Sequence, residues 1–325
     1  MSYKIGSFNV CNLNLRDNKD VSRSFEMIAR IILEEKFDII AMQEVLSEMA
    51  IREILKYMTG RNAEWKYKWL QPKSKASANG DKRGEGYAYI WNARKIDLVK
   101  TEVSKEVGSK TFSYEREAEP VIWRQYKKNG RAIEREPYYA RFTPIGKPGG
   151  SFFELRLINT HIIFGSNVTD RLDEYKKLLD SVYVNIANRR YGNNMPAYTV
   201  MLGDYNITSI QINRRDGLRY FIESIYVGSS DQKEEREIIT IQDKPTTLNR
   251  AQKEDGTYTS TGYTENDYDH FSLTRELEGK IVKNADRVDA VNIYYDGDDR
   301  FEVYRKQVSD HVPIMLDIDL RKHRG

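Results

Sequence analysis

The sequence predicts an α/β chain in which β-sheets pack against one another under a cover of helices. Three observations carry this. Short apolar runs of strand length recur along all 325 residues. Helical periodicities are interleaved with them, yet many of the strands follow one another directly, which a simple parallel sheet does not allow. At 39% hydrophobic content the chain can bury a large core, enough for one large domain or two smaller ones.

Taken in order, Tyr3 to Val10 alternates and then runs apolar, as a first strand does. Val21, Phe25, Ile28, Ile32 and Leu33 recur at helical spacing behind capping acids at Asp17 to Asp20, so a helix is expected over Asp20 to Lys36. Phe37 to Met42 is a buried strand that ends at Gln43-Glu44, and a second helix fits Leu46 to Met58, stopping at Gly60. Trp65, Tyr67 and Trp69 alternate with polar residues as on a half-buried strand. After the polar loop Gln71 to Gly86, Tyr87 to Trp91 is a strand, with Asp97 to Val103 as its hairpin partner. Ser104 to Arg135 reads as a charged surface excursion with a short strand at Val121 to Tyr126.

Tyr138 to Phe142 and Phe152 to Thr160 are strands around a Pro/Gly turn. A helix over Asp170 to Arg189 puts Leu172, Tyr175, Leu178, Leu179 and Val182 on one face. The run Tyr198 to Leu202 is a buried strand closed by Gly203, with Asp204 and Asn206 directly after it. Arg214 to Ser224 reads as helix, Ile238 to Ile241 as strand and Asp243 to Asn266 as a polar loop. Phe271 to Leu273, Val288 to Tyr295 and Val312 to Ile318 complete the strands. There are no internal repeats and no linker.

A net charge of +3 with 31% charged residues excludes a protein that coats nucleic acid by bulk charge, so an anionic partner would meet local patches. The one cysteine, Cys11, excludes a disulfide framework within the chain. No apolar window is long enough to span a membrane, and the start lacks a secretion-signal pattern. The expectation is a cytoplasmic protein with no membrane insertion and no obligate protein partner.

Asn9, Glu44, Glu85, His161, Asp204, Asn206, Asp269, Asp310 and His311 share one property: each lies where an apolar strand begins or ends. Each alone has an ordinary reading as a cap, a turn former or a satisfied strand-end histidine. Strand ends that gather on one sheet edge would gather all nine. An acid and an amide at i and i+2, as in Gly203-Asp204-Tyr205-Asn206, suit a phosphate, a hydrated cation or an attacking water.

The segments SFNV at 7–10, DIIAMQEV at 38–45, EGYAYIW at 85–91, REPYYARF at 135–142, NTH at 159–161, GDYN at 203–206, YDHF at 268–271 and SDHVP at 309–313 fall in order across nearly the whole chain. Together they resemble the endonuclease/exonuclease/phosphatase superfamily, and within it most closely deoxyribonuclease I. The resemblance implies a single domain over residues 1–325, an α/β (α+β) four-layer sandwich of two face-to-face mixed β-sheets flanked by helices. It implies a Mg²⁺-dependent endonuclease hydrolysing DNA phosphodiester bonds, with Mn²⁺ or Ca²⁺ as other cations. An inositol-phosphate phosphatase or a sphingomyelinase-type phosphodiesterase is the alternative on the same fold, and a non-enzymatic binding module is a third reading.

Carried over by motif, Glu44 is the principal metal ligand with Asn9 and Asp310 nearby. Asp204 and Asn206 hold the scissile phosphate and the water, or a second cation. His161 pairs with Glu85 and His311 with Asp269, Asp286 being the rival for His311. Arg135 meets a substrate phosphate. Two carboxylate-backed histidines can serve as acid and base near neutral pH, in either order, and Mg²⁺ takes carboxylate and water oxygens. Cys11 and Leu46 stand where deoxyribonuclease I carries basic residues. Lys73, Lys75, Lys82 and Arg83, or the basic residues Arg124 to Arg131, are the candidates to replace those contacts, or are simply solvated charges.

Overall fold

The computed structural model describes residues 2–15, 22–58, 64–72, 85–107, 110–123, 133–145, 153–165, 167–191, 196–214, 219–223, 233–254 and 258–319. Two large mixed sheets dominate. The first runs, in spatial order, Val282–Arg287, Ile314–Asp319, Ser2–Leu13, Ile39–Val45, Tyr87–Asn92 and Trp65–Leu70. The second runs Arg219–Glu223, Lys233–Ile241, Asp269–Thr274, Ala197–Asp204, Glu154–His161, Tyr138–Pro144 and Ile96–Leu98, with Val121–Ile122 also on Tyr138–Pro144.

The period of two along each strand assigns its side chains to layers. Tyr3, Ile5, Ile39, Ala41, Leu155, Leu157, Val200 and Leu202 point inward and fill the space between the sheets. Phe8, Val10, Ile40 and Met42 face outward, where helices Phe25–Glu34 and Glu48–Tyr57 cover them. Ile158 and Met201 face outward from the second sheet onto the helix that starts at Val168. The result is the expected four-layer order, helix, sheet, sheet, helix.

Helix ends follow local chemistry. Ser24 caps Phe25–Glu34 by accepting the Met27 N–H at 3.1 Å. Asn167 caps the long helix by accepting the Thr169 N–H at 2.9 Å. That helix continues through a π-helical turn, Leu178–Tyr183, to Ala187, and buries the expected Leu172, Tyr175, Leu178, Leu179 and Val182. No described helix is long and apolar enough to cross a membrane.

Five expectations are corrected. Asp97 to Val103 is not the hairpin partner of Tyr87–Asn92, both of whose edges are taken by Ile39–Val45 and Trp65–Leu70. Ile96–Leu98 crosses to the other sheet and pairs with Tyr138–Pro144. A separate hairpin, Lys100–Val107 with Lys110–Glu117, leads into the excursion expected over Ser104 to Arg135. In place of a helix over Arg214 to Ser224, a short helix Ser209–Arg214 precedes the edge strand Arg219–Glu223, where sheet pairing overrides local preference. The polar stretch Asp243 to Asn266 holds the hairpin Leu248–Gln252/Tyr258–Thr264, built from Thr and Tyr, which favour strands without needing a buried face.

Val288 to Tyr295, the fifth, is a short helix, Ala290–Tyr294. Val291 is buried and Tyr294 and Tyr295 pack on the same core at i+3 and i+4, a pattern that a short apolar run does not separate from a strand by composition. Asp17, Asp20, Val21, Gly60 and the basic candidates at 73, 75, 82, 83 and 124–131 lie outside the described residues.

Candidate active site

The strand register places three of the polar residues side by side. His161 and Asp204 are direct partners in a parallel pair, and Asp204 and Asp269 in an antiparallel pair. They stand on three neighbouring strand ends of the second sheet. Asn9 and Glu44 face them from the ends of Ser2–Leu13 and Ile39–Val45 in the first sheet. Beneath the site a polar bridge joins the sheets: Gln43 Nε2 donates to Asn159 Oδ1 at 2.7 Å, and Asn159 Nδ2 donates to Met42 O at 3.0 Å. Both side chains are fully buried, so the sheet ends are held in one arrangement by bonds that are costly to leave unmade.

Asn9 ties the two acids together. Its Nδ2 donates to Glu44 Oε1 at 3.0 Å and to Asp204 Oδ2 at 2.9 Å, while its Oδ1 accepts the Cys11 N–H at 2.9 Å. Glu44 Oε2 accepts the Asn12 N–H at 2.9 Å. The backbone is strained here: φ is +47° at Cys11, +56° at Asn12, +59° at Glu44 and +52° at Asn206. Such left-handed residues cost of order 1 kcal/mol each and cluster at functional sites. Gly203, at φ +144°, comes so close to the neighbouring strand that a Cβ would lie 1.8 Å from Thr160 O.

The two histidines are each backed by a carboxylate. His161 Nδ1 lies 2.8 Å from Glu85 Oε2, off the line of an ideal hydrogen bond. His311 Nδ1 lies 2.7 Å from Asp269 Oδ2, which also accepts the Thr246 hydroxyl at 2.6 Å. Asp286 instead takes Lys244 at 2.6 Å, so it is Asp269 that contacts His311. Both rings then turn Nε2 to one oxygen: Asp204 Oδ2 is 3.5 Å from His161 and 3.7 Å from His311. His270 serves elsewhere, its ring nitrogens each 2.8 Å from the carbonyls of Gln242 and Ile207.

Charge follows this geometry. Burial lowers the His311 imidazole, but Asp269 and Asp204 outweigh it and push it up to about 9. Burial and Arg135 lower His161, and Glu85 and Asp204 outweigh them, so it too stands above its ordinary value. Burial works to raise Glu85, and His161 with Arg135 holds it below the usual carboxylate range. Burial, then the charge of Glu44, raises the Cys11 thiol.

Asn206 sits on the edge of the cleft, its Nδ2 donating to Ile162 O at 2.9 Å and its N–H to Asp204 Oδ1 at 2.8 Å. Arg135 is held by Glu85 Oε1 at 2.9 Å and Ile162 O at 3.4 Å. All nine strand-end residues gather here: seven of them, with Arg135, line a cleft of about 420 Å³, while Asn9 lies behind Glu44 and Asp204, and Asp269 behind His311. Phe164, 72% exposed, stands at its mouth. Oxygen and nitrogen donors of Glu44, Glu85 and His161 lie within 4.8 Å of one another, a set that suits a divalent cation; Asp310 is outside that cluster.

Sequence reasoning missed three supports. Ser309 Oγ donates to Asn9 O at 2.7 Å and accepts the His311 N–H at 3.1 Å, joining the two ends of the chain. Gln43 and Asn159 were visible as polar residues inside apolar runs, the one signal that could have marked their bridge. Arg250, which meets Asp310, lay hidden in a stretch expected to be loop.

No protein-family profile and no curated protein sequence matches the chain. Solved structures do. An endonuclease/exonuclease/phosphatase family protein from Bacteroides thetaiotaomicron superposes with a TM-score of 0.52 at 15% identity, covering 98% of this chain and 99% of that one. The mannosyl-6-phosphatase Bt3783 of the same organism gives 0.50 at 15% identity, covering 98% and 100%. D. rerio TDP2, complexed with single strand DNA product, gives 0.50 at 12% identity, covering 98% and 99%. The chain therefore has the endonuclease/exonuclease/phosphatase fold. The superfamily resemblance is borne out at that level, and nothing in these three singles out deoxyribonuclease I.

Proposed function

We propose that the chain is a divalent-metal-dependent hydrolase of phosphoesters, and that its substrate is a DNA phosphodiester cut with Mg²⁺. The observation that carries this reading is the convergence of two carboxylate-backed imidazoles on Asp204, beside Glu44. Phosphoester hydrolysis needs an activated water, a proton for the leaving oxygen and relief of negative charge. Neighbours of the same fold include a phosphatase and a protein complexed with a DNA product, which agrees with that class of substrate.

Glu44, with Asn9 bonded to it and Asp310 on the same cleft wall, would hold the cation, leaving His161 and Glu85 free for proton transfer. Such a cation would supply charge neutralisation for the phosphate and for the developing alkoxide. His311 takes the proton of the attacking water at Nε2, its Nδ1–H held by Asp269. His161 gives a proton to the leaving oxygen from Nε2, with Glu85 behind it. Asp204 and Asn206 fix the water and the phosphate between the two rings. A base must be neutral, and the high value at His311 belongs to the metal-free site. A cation at Glu44 acts on it with the opposite sign to the carboxylates.

The test is a panel of plasmid, single-stranded DNA, RNA, inositol phosphates and sphingomyelin, each with Mg²⁺ and with chelator. Nicking of plasmid that chelator stops is expected. Hydrolysis of an inositol phosphate or a lipid with no nicking would reject the DNA assignment and keep the phosphoester one.

A further inference from the structure

The hairpin Leu248–Gln252/Tyr258–Thr264 belongs to neither large sheet. It is strapped to the Ser309–His311 turn. The Leu248 N–H donates to Asp310 O at 2.8 Å, the Val312 N–H donates to Thr246 O at 2.8 Å, and Thr247 bridges His311. Leu248 is buried against the outer core of the first sheet and anchors the strap. Two residues on, Arg250 is carried over the cleft, where its guanidinium meets the Asp310 carboxylate. It borders the same cleft as His161, His311 and Cys11.

This cleft is rich in acid, with Glu44, Glu85, Asp204 and Asp310 on its wall. An entering phosphate needs a cationic donor. The Arg135 guanidinium is committed to Glu85 and to Ile162 O. Positions 11 and 46, where the sequence resemblance implied basic residues, hold Cys11 and Leu46. Arg250 has the properties they lack. It carries a planar fork of donors matched to a phosphate. Its side chain is 44% exposed although Asp310 is buried, so the guanidinium can be reached from the cleft opening.

We propose that Arg250 is the substrate-phosphate clamp of this site, delivered by the hairpin in place of the missing cations at 11 and 46. The inference rests on the phosphoester reading above. In the substrate-free chain the guanidinium rests on Asp310. A substrate phosphate replaces that carboxylate on the fork through its non-bridging oxygens, which frees Asp310 to face the cation site.

The test compares the wild-type chain with Arg250→Ala and Arg250→Lys. Inorganic phosphate is titrated calorimetrically without metal at low salt, and Mg²⁺ is titrated separately. Arg250→Ala is expected to weaken phosphate binding about tenfold or more, with Arg250→Lys restoring part of it. On whichever ester the wild type hydrolyses, KM should rise about 10- to 100-fold while kcat stays within about threefold, the mark of lost binding. Mg²⁺ affinity should hold or tighten, because a nearby positive charge has gone. Unchanged phosphate affinity in Arg250→Ala would overturn the proposal. So would weakened Mg²⁺ binding with phosphate binding intact, which would make Arg250 a prop for Asp310. A wild type that binds phosphate through Arg250 yet hydrolyses no phosphoester would sink the functional reading and reduce Arg250 to a phosphate-binding residue without a substrate role.

Discussion

Asp269→Asn keeps the shape of the His311 pair and removes its charge. Asn retains an oxygen for the His311 Nδ1–H and for the Thr246 hydroxyl, which now meet at Oδ2. In the folded chain the imidazole stands at about 9, against an ordinary 6.5. The difference is worth about 3 kcal/mol between protonation states, shared among Asp269, Asp204 and Glu44 against the opposing effect of burial. The side chain is only 10% exposed, so solvent screens little of it. Asp269 leads the groups that raise it, and a lone opposite charge at this range moves a titration by about 1 to 3 pH units.

The metal-free variant should therefore titrate His311 about 1 to 2 pH units below the wild type, read from imidazole nitrogen and carbon shifts by NMR. The sign for stability follows. The folded value lies above the unfolded one, so the pair contributes fully below pH 6.5 and its contribution is lost as pH rises through about 9. Asp269→Asn should destabilise the fold more at pH 6 than at pH 10. The proposed role of His311 as base requires its neutral form, so on that reading kcat/KM should climb with pH and the climb should begin earlier in the variant. An unmoved His311 titration, or equal destabilisation at both pH values, would refute the reasoning.

Mg²⁺ at a hundredfold excess over Kd is expected to stabilise the wild type by about 2 to 3 kcal/mol, and Glu44→Gln should abolish that stabilisation. Differential scanning calorimetry with and without chelator checks it, and equal shifts in both proteins would contradict it. Gly203→Ala forces a Cβ to 1.8 Å from Thr160 O at a φ of +144°. Denaturant unfolding should show a loss of about 3 kcal/mol or more, since strand backbone must move; a loss under about 1 kcal/mol would mean that the strands relax freely.

Much of this was legible because burial and period write themselves into a strand. Ser2–Leu13, Ile39–Val45, Glu154–His161 and Ala197–Asp204 each show an apolar run with a polar residue at or near its end, and those residues gather at the candidate site. What local pattern did not carry was pairing. Ile96–Leu98 belongs to the second sheet only because both edges of Tyr87–Asn92 are filled by distant segments. The hairpin bearing Arg250 buries little apolar surface beyond Leu248, so no alternation marks it, and its relation to Asp310 arises from backbone bonds across about sixty residues. The inter-sheet link of Gln43 with Asn159 spans 116 positions and has no short-range signature. Val291 with Tyr294 failed differently, because five residues are too few for period to separate helix from strand.

The proposed joint action of the two imidazoles that converge on Asp204 is tested most directly by single-turnover rates of His161→Ala, His311→Ala and the double variant, on whichever ester the wild type hydrolyses. Each single change should lower the chemical step by about 10²- to 10⁴-fold, with the double variant little worse than the weaker single, as for groups that act as a unit. Either single variant turning over within about threefold of the wild type would contradict the account.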